Sequence, residues 1–127
     1  MITPFYAAIL GLLFVVLSFR TIKSRRAQKV AVGHGDDKQL LRAIRVHGNF
    51  AEYVPFALLL IYMLEQKGSH ELLIHALCLL LLLGRSLHAY GVGQLKENFR
   101  FRVLGMMMTF AAIISACTGL LGISVLG

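Results

Sequence analysis

A chain of 127 residues with 57% hydrophobic and 15% charged residues is too apolar for a water-soluble domain, where about 45–50% apolar is usual. Its net charge of +7 does not imply nucleic-acid binding, because the basic residues gather between apolar runs and leave no soluble basic face. With a mean hydropathy of +0.74, the composition describes one integral membrane domain over residues 1–127, without a separate soluble module.

The first run, "ITPFYAAILGLLFVVLSF" from Ile2 to Phe19, carries no charge. At about 1.5 Å per residue it is just long enough to cross a bilayer. No Lys or Arg precedes it and a basic cluster follows, the reverse of the order in a secretory signal, so a retained helix is expected over about 2–20. A basic connection follows, broken by Gly33-His34-Gly35. Asp36 and Gln39 have capping-box spacing, which predicts a helix start near Asp36. That helix should span about 40–64, with its first turns projecting into water. The polar link "EQKGSHE" ends it. A third span is expected over 71–91, a second basic connection in "GVGQLKENFRFR", and a charge-free fourth span over 102–125. Both basic connections fall on one face, which the positive-inside rule makes cytoplasmic, with both termini opposite. Nothing alternates with the period of a barrel strand. The expected fold is an all-α, four-helix membrane bundle.

The second helix carries an unusual stripe. Arg42, Arg45, Asn49 and Glu52 fall within roughly one quarter of the helix circumference at about 100° per residue, and Phe56 continues the stripe as an apolar position. His47 points nearly the opposite way. An ionised residue at the centre of a spanning helix costs about 2.5–3.5 kcal/mol on insertion scales. The arginines can extend toward the headgroups, but Glu52 is too deep and too short, so it needs a partner: Arg45, or an arginine on another helix. Pro55 leaves a carbonyl without its usual donor and should kink the helix beside the stripe. The third helix adds Arg85, His88 and Tyr90, and the fourth opens with Arg100 and Arg102. Such a stripe can serve only to fix helix packing. With cations outnumbering acids several to one at a single depth, however, the zone should bind an anionic ligand.

Other features carry less. Cys78 and Cys117 lie within apolar runs, form no CxxC pair, and read as small buried residues. Met106, Met107 and Met108 read as packing rather than a metal site. His70 and His75 lack a second ligand at metal spacing, and His34 suits a turn. No metal is expected.

The pattern Arg45-x-His47-x-Asn49-x-x-Glu52-Tyr53-x-Pro55, with the approach "GHGDDKQLLRAIRVHGNFAEYVP", resembles the second-helix motif of the MAPEG family, the membrane-associated proteins in eicosanoid and glutathione metabolism, and most of all its short bacterial members. The likeness covers nearly the whole chain. It implies a homotrimer in the bacterial inner membrane that holds glutathione between subunits near the cytoplasmic face. By that resemblance Arg42, Arg45, Asn49, Glu52, Tyr53, Arg85, His88 and Tyr90 would line the glutathione site. Glu52 would receive the amino group and Arg45 a carboxylate, while Arg102, with Arg100 as the alternative, would face the thiol. The implied activity is that of a glutathione-dependent transferase or peroxidase acting on a lipophilic electrophile or hydroperoxide. The sequence departs from the family pattern at Val92, where many members have tyrosine, and at Phe50, where an acid is common. A small four-helix transporter and a non-catalytic glutathione-binding scaffold remain the alternatives.

Overall fold

The computed structural model describes residues 1–127 as four helices and no strands: α1 (Thr3–Gln28), α2 (Lys38–Gln66), α3 (Glu71–Gly93) and α4 (Phe99–Leu126). Three of them, α1, α3 and α4, are long and apolar enough to cross a membrane. The 29-residue α2 is more polar over its first half, and it carries the chain back across the same thickness between α1 and α3. Its ends fix this antiparallel course. At one end the Glu65 carboxylate accepts the backbone N–H groups of Ile2 and Thr3, the latter at 2.9 Å. At the other, Arg42 donates to the Val92 carbonyl near the end of α3 at 3.0 Å.

Local chemistry sets the helix limits. Pro4 stands in the first turn of α1, where its missing N–H costs nothing. The helix runs well past the apolar stretch, with Arg25 and Arg26 in its last turn complementing the negative end of the helix dipole. The start of α2 differs from the expectation: Asp37 is the cap, its carboxylate accepting from the Leu40 N–H at 2.7 Å. Asp36 instead adopts a left-handed φ of 64° in the preceding turn. The helix α4 begins at Phe99, three residues before the expected span, because the Asn98 side chain caps it by accepting from the Arg100 N–H at 3.1 Å.

The core is a seam of aliphatic side chains, among them Leu10, Phe50, Val54, Ile61, Ile74 and Leu81. On α4 only Gly105, Thr109, Ala112 and Ala116 are buried, a stripe of small residues spaced four, three and four apart. Lipid tails offer no hydrophobic drive for helix pairing, so close backbone approach supplies the contact instead. At Gly105 a Cβ would stand 2.6 Å from the Gly84 carbonyl oxygen and 2.8 Å from the His88 nitrogen. That closeness brings Arg85 and His88 of α3 up to α4. Away from this seam, α1 and α2 are tied by Ser18 and His47, whose Oγ and Nε2 lie 2.9 Å apart. The His47 ring stacks on Phe14.

Candidate anion-binding cleft

The polar stripe of α2 faces a cleft of about 680 Å³ walled by α2, α3 and α4. From α2 come Lys38, Arg42, Arg45 and Asn49; from α3, His88 and Val92; from α4, Arg102 and Met106. Helical spacing explains the set: His88 and Val92 follow Arg85 by three and seven residues, which keeps all three on one face.

Behind this lining sits Arg85, the largest fully buried side chain of the protein at 1% exposure. Its Nη2 donates to Asn49 Oδ1 and, at 3.3 Å, to His88 Nδ1. Its Nη1 donates to Thr109 Oγ1 at 3.3 Å and to the Met106 sulfur at 3.5 Å. Because a guanidinium only donates, His88 Nδ1 is an acceptor and the ring proton belongs on Nε2. The Nε of Arg85 has no partner, and the guanidinium lies 5.9 Å from the centre of the Tyr53 ring. No carboxylate reaches it. A buried cation held only by neutral acceptors is costly, and Asn49 and His88 touch both it and the cleft.

At the mouth, Glu97 bridges two arginines. Its Oε1 accepts from Arg42 Nη1 at 2.8 Å and from Arg102 Nη2 at 2.7 Å. The Glu97 side chain is 2% exposed, against 27% for Arg42 and 42% for Arg102. These are the only ion pairs in the structure. Lys38, Arg42, Arg45, Arg85 and Arg102 therefore share one carboxylate, leaving four positive charges uncompensated around the cleft. Such a surround attracts anions strongly.

Four expected site residues besides Arg85 lie outside the lining. Glu52 is exposed and makes no ion pair with Arg45 or any other arginine. Three residues beyond Asn49 turn about 60° back around the helix, so Glu52 sits on the flank of α2. Tyr53 is instead the residue aimed at α4, edge-on to Phe110 at 5.6 Å. Tyr90 is also exposed: two residues from His88 turn it away from the cleft, against Phe101. Arg100 is exposed outside the lining, whereas Arg102 lies within it. Glu97 lies outside the expected site, and its one signal in the sequence is that it is the single acid beside Lys96, Arg100 and Arg102 in the second basic connection. Lys38 and Met106, also outside the expected site, belong to the lining.

No solved structure matches this chain. The chain is 36% identical over 114 residues to "Inner membrane protein YecN" of Escherichia coli (strain K12), an alignment covering 90% of this chain and 86% of that protein. The protein of that name from E. coli O6:H1 (strain CFT073) matches to the same extent. The MAPEG family model matches residues 3–122. With nearly its whole length matched, and with the four-helix bundle that its apolar runs predict, this integral membrane protein belongs to the MAPEG family.

Proposed function

We propose that the protein is a homotrimeric, membrane-bound glutathione-dependent transferase or peroxidase, placed in the inner membrane with its basic connections in the cytoplasm. The observation that carries this reading is the charge of the cleft: five cations, one of them buried behind Asn49 and His88, against a single carboxylate. Glutathione bears two carboxylates, one ammonium and a thiol. Its carboxylates match the arginine-rich wall, with Arg45 free of any intrachain partner.

Its ammonium requires an acid, and Glu52, three residues beyond Asn49 on α2, is one that makes no ion pair within the chain. On the open flank of α2 that carboxylate would face lipid in a lone chain, at a cost of about 2.5–3.5 kcal/mol. A neighbouring copy closing the open side gives Glu52 a polar setting beside the ligand, which supports a site shared between subunits.

A free thiol with a pKa of about 8.5 is only a few per cent thiolate at neutral pH. A guanidinium beside the sulfur favours the anion, and lowering the pKa by about two units takes about 2.7 kcal/mol. One charge-assisted contact in a partly desolvated cleft can supply that. We assign this role to Arg102 and not Arg100, a choice supported by the presence of Arg102 alone of the two in the lining. The thiolate then forms a carbon–sulfur bond with an electrophile arriving from the bilayer, displacing halide from an aryl halide or adding to the β-carbon of an enone, whose enolate takes a proton from water. With a hydroperoxide it attacks the terminal oxygen instead, breaking the O–O bond. The alkoxide takes a proton and leaves as the alcohol, and the glutathione sulfenic acid condenses with a second glutathione to give the disulfide and water.

The ultraviolet difference spectrum of glutathione thiolate tests this. The purified protein should show the thiolate band on adding glutathione; Arg102→Ala should lose it and Arg100→Ala should keep it. A wild-type protein that binds glutathione without the band would be the non-catalytic scaffold, and one that does not bind it would refute the proposal.

A further inference from the structure

A second recess lies at the basic-loop end of the bundle, about 350 Å³ in volume, between α1, α2 and the last residue of α3. We propose that it binds a phosphate group, supplied by the headgroup of an anionic phospholipid. Arg20 and Lys23 face it with Ser24, Gln28 and Gln39. It shares no lining residue with the cleft, because α2 turns Gln39 and Ala43 toward it and Arg42 and Arg45 away.

Three observations point to this ligand. First, the recess has two cations and no carboxylate in its lining, and neither cation takes part in the ion pairs of the chain, which both belong to Glu97. Second, Arg25 at the same helix end spends its guanidinium on the Val30 and Gly33 carbonyls, whereas Arg20, Lys23, Ser24, Gln28 and Gln39 make no side-chain hydrogen bond within the chain. A guanidinium, an ammonium, a hydroxyl and amide N–H groups are thus left with their donors free, the set that phosphate oxygens take. Third, the depth is right. Arg20 is the first charge after the uncharged run Ile2–Phe19, so it stands where hydrocarbon gives way to headgroups, and basic pockets between helices on that side suit anionic lipids.

Gly93 keeps the third wall open. A Cβ there would come within 3.2 Å of Arg20 Nη2, into the space the guanidinium occupies. A larger side chain would displace Arg20 from the recess while meeting only the end of a flexible side chain.

The full-length protein in neutral detergent, titrated with phosphatidylglycerol or phosphatidylcholine and read by native mass spectrometry, tests the proposal. Phosphatidylglycerol should bind selectively, and Arg20→Gln with Lys23→Gln should weaken it roughly thirtyfold, at about 1 kcal/mol per basic residue. Gly93→Leu should weaken it too. Arg26→Gln with Lys29→Gln removes the same charge from the same helix end outside the recess and should cost less than about threefold. In a parallel arm, inorganic phosphate binding lost in the first double variant would keep the phosphate site but assign it to a soluble anion if phosphatidylglycerol fails to bind. Equal losses in both double variants would mean diffuse surface charge and would overturn the site, as would binding unaffected by Arg20→Gln with Lys23→Gln.

Discussion

Replacing Asn49 with leucine should expose how the buried Arg85 is supported. Asn49 Oδ1 accepts from Arg85 Nη2, and the guanidinium, with five N–H donors, has four acceptors: Asn49, His88, Thr109 and the Met106 sulfur. Its Nε is already unpartnered. Asn49→Leu removes the only amide oxygen among them and places no new acceptor nearby. A hydrogen bond to a charged group contributes about 1.5–3 kcal/mol, so the variant should lose about that much stability. Arg85→Met removes the charge and its donors together, leaving mainly a packing change. With Arg85 already methionine, Asn49→Leu should cost little. A double-mutant cycle, measured by reversible unfolding in mixed micelles, should therefore give a coupling of about 1.5–3 kcal/mol between the two sites. Additive losses would refute the claim that Asn49 holds Arg85. Asn49→Asp supplies a charged acceptor of similar shape and should retain the fold.

Two further outcomes follow from the same geometry. Glu97→Gln releases Arg42 and Arg102 from their shared carboxylate, so calorimetry should show glutathione binding about fivefold tighter, about 1 kcal/mol, with turnover reduced because Arg102 is no longer held; weaker binding would show that Glu97 orders the arginines rather than competing with the ligand. Gly105→Val must push α4 off the Gly84 carbonyl, which a Cβ would approach to 2.6 Å, and should destabilise the protein by about 1–3 kcal/mol or more, seen as a lowered Tm; an unchanged Tm would contradict the close α3–α4 packing.

Much of the fold is legible along the chain because helix-forming apolar runs and their breaks are local properties. The polar link at residues 65–71 ends α2 close to where the chain ends it, at Gln66. Helix starts are less legible, since one residue decides a cap: Asp36 has the right spacing, yet Asp37 has the extended backbone that lets its carboxylate reach the Leu40 N–H. On α2 the periodicity placed Arg42, Arg45 and Asn49 together, and the structure brings them to one cleft. It does not bring Glu52 there, because a small angular drift per turn moves a residue from the wall of a cleft to its flank.

By itself, the sequence determined a four-helix membrane protein, the basic character of one end, and the face of α2 that carries its polar groups. All of these follow from hydropathy, charge count and the helical repeat. Only the tertiary structure decided that Arg85 is buried, that Arg102 rather than Arg100 enters the cleft, and that Glu97 ties Arg42 to Arg102. Helical periodicity fixes a side chain's azimuth within its own helix, but burial depends on which azimuth the neighbouring helix covers. Here that choice is made by Gly84 and Gly105, whose missing side chains let α3 and α4 close together and enclose the guanidinium between them.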